Sequence, residues 1–152
     1  MLTKLSQVQR DINFPRVWRY EYNYQDTPVF LIADTTSPGT LISANYSRVV
    51  TVTEPSIVRV IAHSEFYYGS GTAGSVLATM ELWSGAAGAF TNNLTMAQGS
   101  MTNATNTTDT LAIVSTSTQA VGALTYQLVF YASITNRISV WTLAWEIDVC
   151  RV

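Results

Sequence analysis

Few residues of this chain have types and spacings that could carry chemistry. His63 and Glu65 stand two positions apart, so on an extended strand their side chains point the same way. Such a pair could supply two ligands to a metal ion, but a site needs at least one more, and His63 is the only histidine. The simpler interpretation is an exposed polar pair beside Arg59. We therefore predict neither a metal site nor a cofactor.

Catalysis by carboxylates or by a nucleophile can also be considered. Glu65 and Glu81 could form the acid pair of a glycoside hydrolase, and nucleophilic catalysis would have to use His63 as its base. The glycines of residues 69–74 precede a predicted strand and not the helix of a nucleotide-binding turn. We predict that the chain is not an enzyme, and a hydrolase that uses Glu65 or Glu81 is the alternative.

Charge is scarce in the chain. Only 12% of its 152 residues are charged, about half the usual share for one globular domain. Between Leu82 and Asn136 the only charged residue is Asp109. Such an uncharged stretch is predicted to be covered by protein in an interface. The alternative is that it is exposed to water and that threonine and asparagine coat this surface.

The composition also argues against two kinds of partner. The net charge is -2 and there is a single lysine, so no basic stripe exists to neutralise phosphates, and nucleic acid is not expected as a partner. The longest apolar runs are shorter than the roughly 20 residues that cross a bilayer, and no apolar signal core follows Lys4. We predict no membrane partner and synthesis in the cytoplasm without export by a cleaved signal peptide.

The alternation of side chains predicts the elements that would position these residues. Residues 123–134 and 138–149 are apolar runs separated by Thr135-Asn136-Arg137, which predicts a long β-hairpin. In the second run, alternate residues share one face; they are Trp141, Leu143, Trp145, Ile147 and Val149.

Further strands are predicted at residues 29–33, 46–53, 57–68, 76–83 and 110–115. In the third of these, Val58, Val60 and Ala62 alternate with Arg59, Ile61 and His63, so one face belongs to the core and the other carries the charges. Residues 84–109 are rich in Gly, Thr and Asn and are predicted to be largely turns and loops. The chain is therefore predicted to be all-β, a jelly-roll-like antiparallel sandwich of seven to nine strands.

Residues 1–27 differ from the remainder and are predicted to form an extended N-terminal arm, with residues 28–152 as the sandwich domain. The chain has 8 basic and 10 acidic side chains, and seven of these charged groups, of both signs, lie in the arm. They are interleaved with aromatic residues. It is either the first strand of the chain's own sheet or a segment that lies on a neighbouring subunit. Tyr, Trp and Arg supply much of the binding energy at interfaces, so the predicted partner-binding residues are Phe14, Arg16, Trp18, Arg19, Tyr20, Tyr22 and Tyr24.

An all-β domain that follows a charged aromatic arm and closes with a long hairpin resembles trimeric jelly-roll proteins of virions. Leu124-Thr125-Tyr126-Gln127-Leu128 and Trp145-Glu146-Ile147-Asp148-Val149 are similar to the last two strands of TNF/C1q-like domains. The layout of arm and jelly roll is similar to that of decoration (cement) proteins of tailed-phage capsids. No collagen-like or coiled-coil stalk sequence precedes the domain, which favours a cement protein over a fibre head.

This resemblance implies a homotrimer on the capsid exterior. Its arms would reach the major capsid protein and neighbouring decoration subunits, and binding only to the assembled lattice would stabilise that lattice by mass action. The alternative is a receptor- or glycan-binding head domain of a phage tail fibre that uses exposed Tyr and Trp as stacking platforms.

Overall fold

A computed structural model of the protein describes residues 18–27, 30–68, 75–86, 89–102 and 107–152. Within these ranges, no helix is long and apolar enough to cross a membrane. The described residues form one 3₁₀ turn at Ala44–Tyr46 and nine strands: β1 (Arg19–Asp26), β2 (Phe30–Leu31), β3 (Ser47–Val52), β4 (Ser56–Tyr68), β5 (Ser75–Gly85), β6 (Asn92–Thr102), β7 (Thr107–Gln119), β8 (Gly122–Ala132) and β9 (Ile138–Arg151).

The strands form two antiparallel sheets. The first sheet has the order β1-β9-β4-β7, with β2 also paired to β9, and the second sheet has the order β3-β8-β5-β6. Apolar side chains from both sheets form a single core between them, as expected for a β-sandwich. The prediction of an all-β antiparallel sandwich of seven to nine strands is confirmed.

The strand partners are nested around the connection between β5 and β6. β5 pairs with β6, β4 with β7, β3 with β8 and β1 with β9. A chain folded back on itself in this way, with successive pairs placed alternately in two sheets, is a jelly roll. The jelly-roll-like fold class is therefore confirmed.

The predicted closing hairpin is wrong in its pairing, although both strands exist. β8 pairs with β3 and β5 in the second sheet, whereas β9 pairs with β1, β2 and β4 in the first. The intervening Thr135 and Asn136 do not close a ladder, because Thr135 Oγ1 donates to the Ala33 carbonyl at 2.7 Å and the Asn136 amide donates to the Ile32 carbonyl at 2.8 Å. The alternation indicates strands but does not indicate their partners.

The prediction of largely loop structure over residues 84–109 is also wrong where β6 lies. β6 lies at the edge of the second sheet, and few of its residues face the core, so its sequence shows little apolar alternation. The residues of β6 that pack on the core are Leu94, Ala97 and Met101. The threonines that suggested a loop are compatible with a strand because β-branched residues favour extended backbone.

The core side of β4 follows the predicted alternation. Val58, Val60 and Ala62 are buried, while Arg59 and His63 point to the outer face of the first sheet. The largest fully buried side chain is Trp145 of the neighbouring β9. The outer face of this sheet therefore carries the polar groups considered in the sequence.

A β-bulge changes the predicted face of one residue in β9. Glu65 of β4 pairs with Thr142 and the next residue, Phe66, pairs with Val140, so Trp141 is the extra residue. A bulge re-aims the side chain at its position. Trp141 is 39% exposed, so the prediction that it shares a face with Leu143, Trp145, Ile147 and Val149 is wrong, while those four residues are buried.

Candidate functional site

Most of the predicted partner-binding residues lie at the N-terminal edge of the first sheet. β1 pairs with β9 from Arg19 opposite Val149 to Asp26 opposite Leu143. Residues 19–26 therefore form a strand of the chain's own sheet, which is one of the two alternatives, and contact with a neighbouring subunit stays a prediction. Phe14 and Arg16 are outside the described residues; those within them are Trp18, Arg19, Tyr20, Tyr22 and Tyr24.

A register shift between Tyr20 and Tyr22 divides the aromatic residues of β1. Tyr20 lies opposite Asp148 and is 69% exposed. Tyr22 and Tyr24 are partly buried and pack against the core. The structure therefore does not bring the four aromatic residues of this segment onto one face.

The two inward tyrosines belong to an aromatic cluster that attaches β1 to the core. The ring of Tyr22 meets Trp145 edge-on with 5.7 Å between centroids, and Tyr24 meets Tyr46 at 5.6 Å. The Tyr46 hydroxyl donates to the Asp26 carboxylate and lies 3.1 Å from the Leu143 carbonyl. Burial, and then the bond to Asp26, raise the pKa of Tyr46 far above its ordinary value. Its hydroxyl therefore remains a hydrogen-bond donor and not a titrating group.

On the outer face of the first sheet, an arginine neutralises a buried carboxylate. Arg59 Nε donates to Asp148 Oδ2 at 3.0 Å, and the Arg59 guanidinium lies 4.5 Å from the centre of the Trp18 ring. Asp148 is 1% exposed, and its Oδ1 has no hydrogen-bond partner. The carboxylate of this ion pair is buried, while the Arg59 side chain remains 31% exposed beneath the Trp18 ring.

A second carboxyl group stands beside this pair. Glu146 is two residues from Asp148 on the same face of β9, opposite Asn23 of β1 and Ile61 of β4. Burial raises the pKa of Glu146, the negative charge of Asp148 raises it further, and Arg59 lowers it. When Glu146 is protonated, its carboxyl can donate a hydrogen bond toward the carboxylate of Asp148.

The residues predicted to carry chemistry are placed on opposite surfaces. His63 and Glu65 share the outer face of the first sheet, as the spacing predicts. Glu81 belongs to β5 of the second sheet and lies between the core residues Met80 and Leu82, so it points to the opposite exterior. Glu65 and Glu81 are therefore separated by the core and cannot act on one glycosidic bond. Among the described residues, no group of three His, Cys, Asp or Glu could hold a metal ion.

Glu81 instead lies in a buried hydrogen-bond network that supports the fold. It is 1% exposed and accepts hydrogen bonds from Ser37 Oγ at 2.9 and 3.0 Å, Trp83 Nε1 at 3.0 Å and Asn93 Nδ2 at 3.0 Å. Three neutral donors satisfy a buried carboxylate without a counter-ion. Glu81 thereby holds the loop that contains Ser37 against the second sheet.

The alternation of residues did not reveal an aromatic pair on the outer face of the first sheet. The rings of Tyr67 and Trp141 stack with 4.3 Å between centroids and 24° between planes. Beside this pair, β1, β9 and β4 line a shallow depression. The bulge in β9 brings Trp141 to this face, and the alternation of residues in the sequence does not reveal a bulge.

The strand order and the nested pairing define the chain as a jelly-roll-like β-sandwich. No protein-family model matches it, and no curated protein does. Among solved structures it is similar to the structure of infectious bursal disease virus, Gx strain, at 15% identity and a TM-score of 0.35, with 89% of this chain and 33% of that chain covered.

It is also similar to the crystal structure of the infectious bursal disease virus VP2 subviral particle, at 12% identity and a TM-score of 0.32, over 86% of this chain and 32% of that one. The chain thus spans about a third of the length of these proteins. At such values neither similarity identifies a function, which has to be argued from the chain's own residues.

Proposed function

We propose that the chain is a structural protein of a virus particle, a capsid decoration protein of a tailed phage that acts as a homotrimer. The observation that carries the proposal is an uncharged edge of the sandwich. β7 is the edge strand of the first sheet and β6 that of the second, and Asp109 is the only charged residue in the two strands. We refer to β6 and β7 together as the uncharged edge.

Within the uncharged edge, β7 has neither proline nor a bulge, whereas the ladder of β6 with β5 has a register shift between Leu82 and Trp83. The strand β7 has 13 residues and pairs with β4 from Ser56 opposite Gln119 to Tyr68 opposite Thr107 without a register shift. Edge strands are normally protected from pairing with other chains by charge, proline or bulges. By contrast, the edge strand β1 carries three charged residues. A long strand without these features favours contact with another copy of the chain.

Exposed apolar side chains on the same two strands support this interpretation. Met96 of β6 is 58% exposed and Val114 of β7 is 63% exposed. In the proposed assembly the uncharged edge packs on its neighbours in the trimer. The N-terminal arm, through Phe14, Arg16, Trp18, Arg19 and Tyr20, contacts the major capsid protein and neighbouring decoration subunits on the capsid exterior. Tyr20 is exposed and suited to such a contact.

The solution mass tests the role of the uncharged edge. Light scattering should give about three times the 16.7 kDa of one chain, and Val114→Glu should reduce trimer affinity at least about tenfold because it places a charge in an apolar interface. Val49→Glu is the matched control, since Val49 is 55% exposed on β3 at the other edge of the second sheet. A monomeric parent protein, or equal effects of both variants, would contradict the proposal.

Sedimentation with capsids assembled from the coat protein of the same genome tests the role of the arm. Deleting residues 1–17 leaves β1 in place, whereas deleting residues 1–27 would also remove this strand from the first sheet. The shorter deletion should give a folded trimer that sediments with capsids more weakly, because it removes Phe14 and Arg16 and keeps Trp18, Arg19 and Tyr20. Undiminished binding by that variant would contradict the arm's role, and no binding by the full chain would contradict the capsid function.

A further inference from the structure

The outer face of the first sheet contains a shallow depression with a polar rim and an apolar floor. Its rim includes the carboxamides of Asn23 and Gln25 on β1, the imidazole of His63 on β4 and the carboxyl of Glu146 on β9, and its floor includes Ile61 and Ala144. Asn23, Gln25 and His63 are exposed. We refer to this depression as the outer groove.

Aromatic side chains stand at both ends of the outer groove. At one end, the bulge in β9 turns Trp141 outward against Tyr67, four residues along β4 from His63, or about 13 Å of extended strand. At the other end, Trp18 lies over Arg59 and Tyr20 is exposed. The outer face thus carries aromatic side chains on both sides of the outer groove, beyond the residues that line it.

This combination of groups suits a carbohydrate. A pyranose ring has an apolar face of C–H groups, which packs on an aromatic ring, and an edge of hydroxyl groups, each both donor and acceptor. Carboxamides and imidazole can both donate to such hydroxyls and accept from them, and a carboxylate accepts from them. Tyrosine and tryptophan supply rigid apolar area together with a polar atom. The depression supplies the hydrogen-bonding groups, and the exposed ring of Trp141 stands on the same face of the sheet, outside the residues that line it.

The charges around the outer groove select among carbohydrates. The bordering cation, Arg59, is bound by Asp148, while Glu146 and Glu65 stand on the same face. Carboxylates repel an acidic sugar or a phosphate, and an arginine already bound to a carboxylate offers little compensation. We propose that the outer groove binds a short neutral oligosaccharide, with Trp141 as the stacking platform and Asn23, Gln25 and His63 as partners of its hydroxyl groups. This inference does not rest on the proposed capsid role.

A glycan array and saturation-transfer NMR test the inference on the full chain. The probes are short neutral oligosaccharides of hexose and N-acetylhexosamine, alongside the same oligosaccharides bearing sialic acid. Binding should be confined to neutral probes, and Trp141→Ala should weaken it at least about tenfold, the size expected for loss of one aromatic contact. His63→Ala should weaken it without affecting the fold, because this residue is exposed.

Phe90→Ala is the matched control because Phe90 is 37% exposed, close to the 39% of Trp141, and it contacts Trp83 of the second sheet. It should leave binding unchanged. Absence of hits, hits restricted to sialylated probes, or undiminished binding by Trp141→Ala would overturn the inference. The Trp141→Ala variant should keep the parent's solution mass and capsid sedimentation, so failure of this inference is distinguishable from failure of the capsid function.

Discussion

Arg59 and Asp148 face each other across β4 and β9, with Arg59 Nε 3.0 Å from Asp148 Oδ2. Asp148 is 1% exposed, and the cation that its carboxylate contacts is this guanidinium. Replacing Arg59 with methionine keeps much of the packing and leaves a buried carboxylate without a counter-ion. We expect the free energy of unfolding in urea to fall by about 3 kcal/mol.

The ion pair between Arg151 and Glu54 provides the control for that substitution. Its Nε–Oε1 distance is 2.9 Å, but the two side chains are 54% and 27% exposed. Arg151→Met should therefore cost less than about 1 kcal/mol. Equal losses in the two variants would mean that burial of Asp148 does not set the strength of its pairing.

The proximity of Glu146 and Asp148 predicts a dependence of stability on pH. Glutamate in the unfolded chain titrates near pH 4.3, about its ordinary value, and the environment described above raises the pKa of folded Glu146. At neutral pH, ionised Glu146 therefore lowers stability. As the pH falls through the folded pKa toward the unfolded one, the native state takes up the proton first and this penalty is removed.

Glu146→Gln tests this sign. The variant should be more stable than the parent at neutral pH, because the charge is gone and the amide can donate to Asp148 Oδ1, which has no partner in the parent. The difference should shrink toward acid pH when unfolding in urea is measured over a pH series. A variant that is less stable at neutral pH would contradict the unfavourable ionisation of Glu146 beside Asp148.

The hydroxyl of Tyr46 is predicted to stabilise β1. Tyr46→Phe removes the donor to Asp26 and to the Leu143 carbonyl, and we expect a loss of about 1–2 kcal/mol in thermal or urea unfolding. Hydrogen exchange should accelerate most in residues 19–26. Tyr20→Phe is the control because this tyrosine is 69% exposed, and its effect should stay within about 0.5 kcal/mol.

Gly39 is required by a close approach between two backbone segments. The neighbouring Thr40 exchanges hydrogen bonds with Phe130, at 2.8 Å and 3.0 Å, and a Cβ at residue 39 would lie 2.1 Å from the Phe130 carbonyl oxygen. Gly39→Ala should therefore lower the free energy of unfolding by about 2 kcal/mol or more. Gly99→Ala should cost less, since its nearest obstacle is the end of the Asp109 side chain, which can move.

The fold class could be predicted from the sequence because burial of one face imposes alternation on each strand. The outward Arg59 and inward Val60 of β4 follow from this directly. Strand partners could not be predicted in the same way. β8 and β9 are close in sequence and both apolar, but they belong to different sheets because their connection bonds to residues 32–33 and not to a hairpin ladder.

The candidate sites were predictable only where the strands are regular. His63 and Glu65 share a face as expected, whereas the register shift beside Tyr20 and the bulge at Trp141 each redirected an aromatic side chain. One additional residue reverses the face of everything beyond it. The pairing of Arg59 with Asp148 was not predictable, since it depends on the alignment of two strands far apart in the sequence.

The nested pairing also sets the order in which the chain can fold. β9 lies between β1 and β4 in the first sheet, so the segment Arg19–Asp26 has no ladder to join until Ile138–Arg151 has left the ribosome. Most strand contacts join residues far apart in sequence, a topology that folds slowly and exposes apolar strands in the meantime. During synthesis, the nascent chain would therefore depend on chaperones or on rapid completion to escape aggregation.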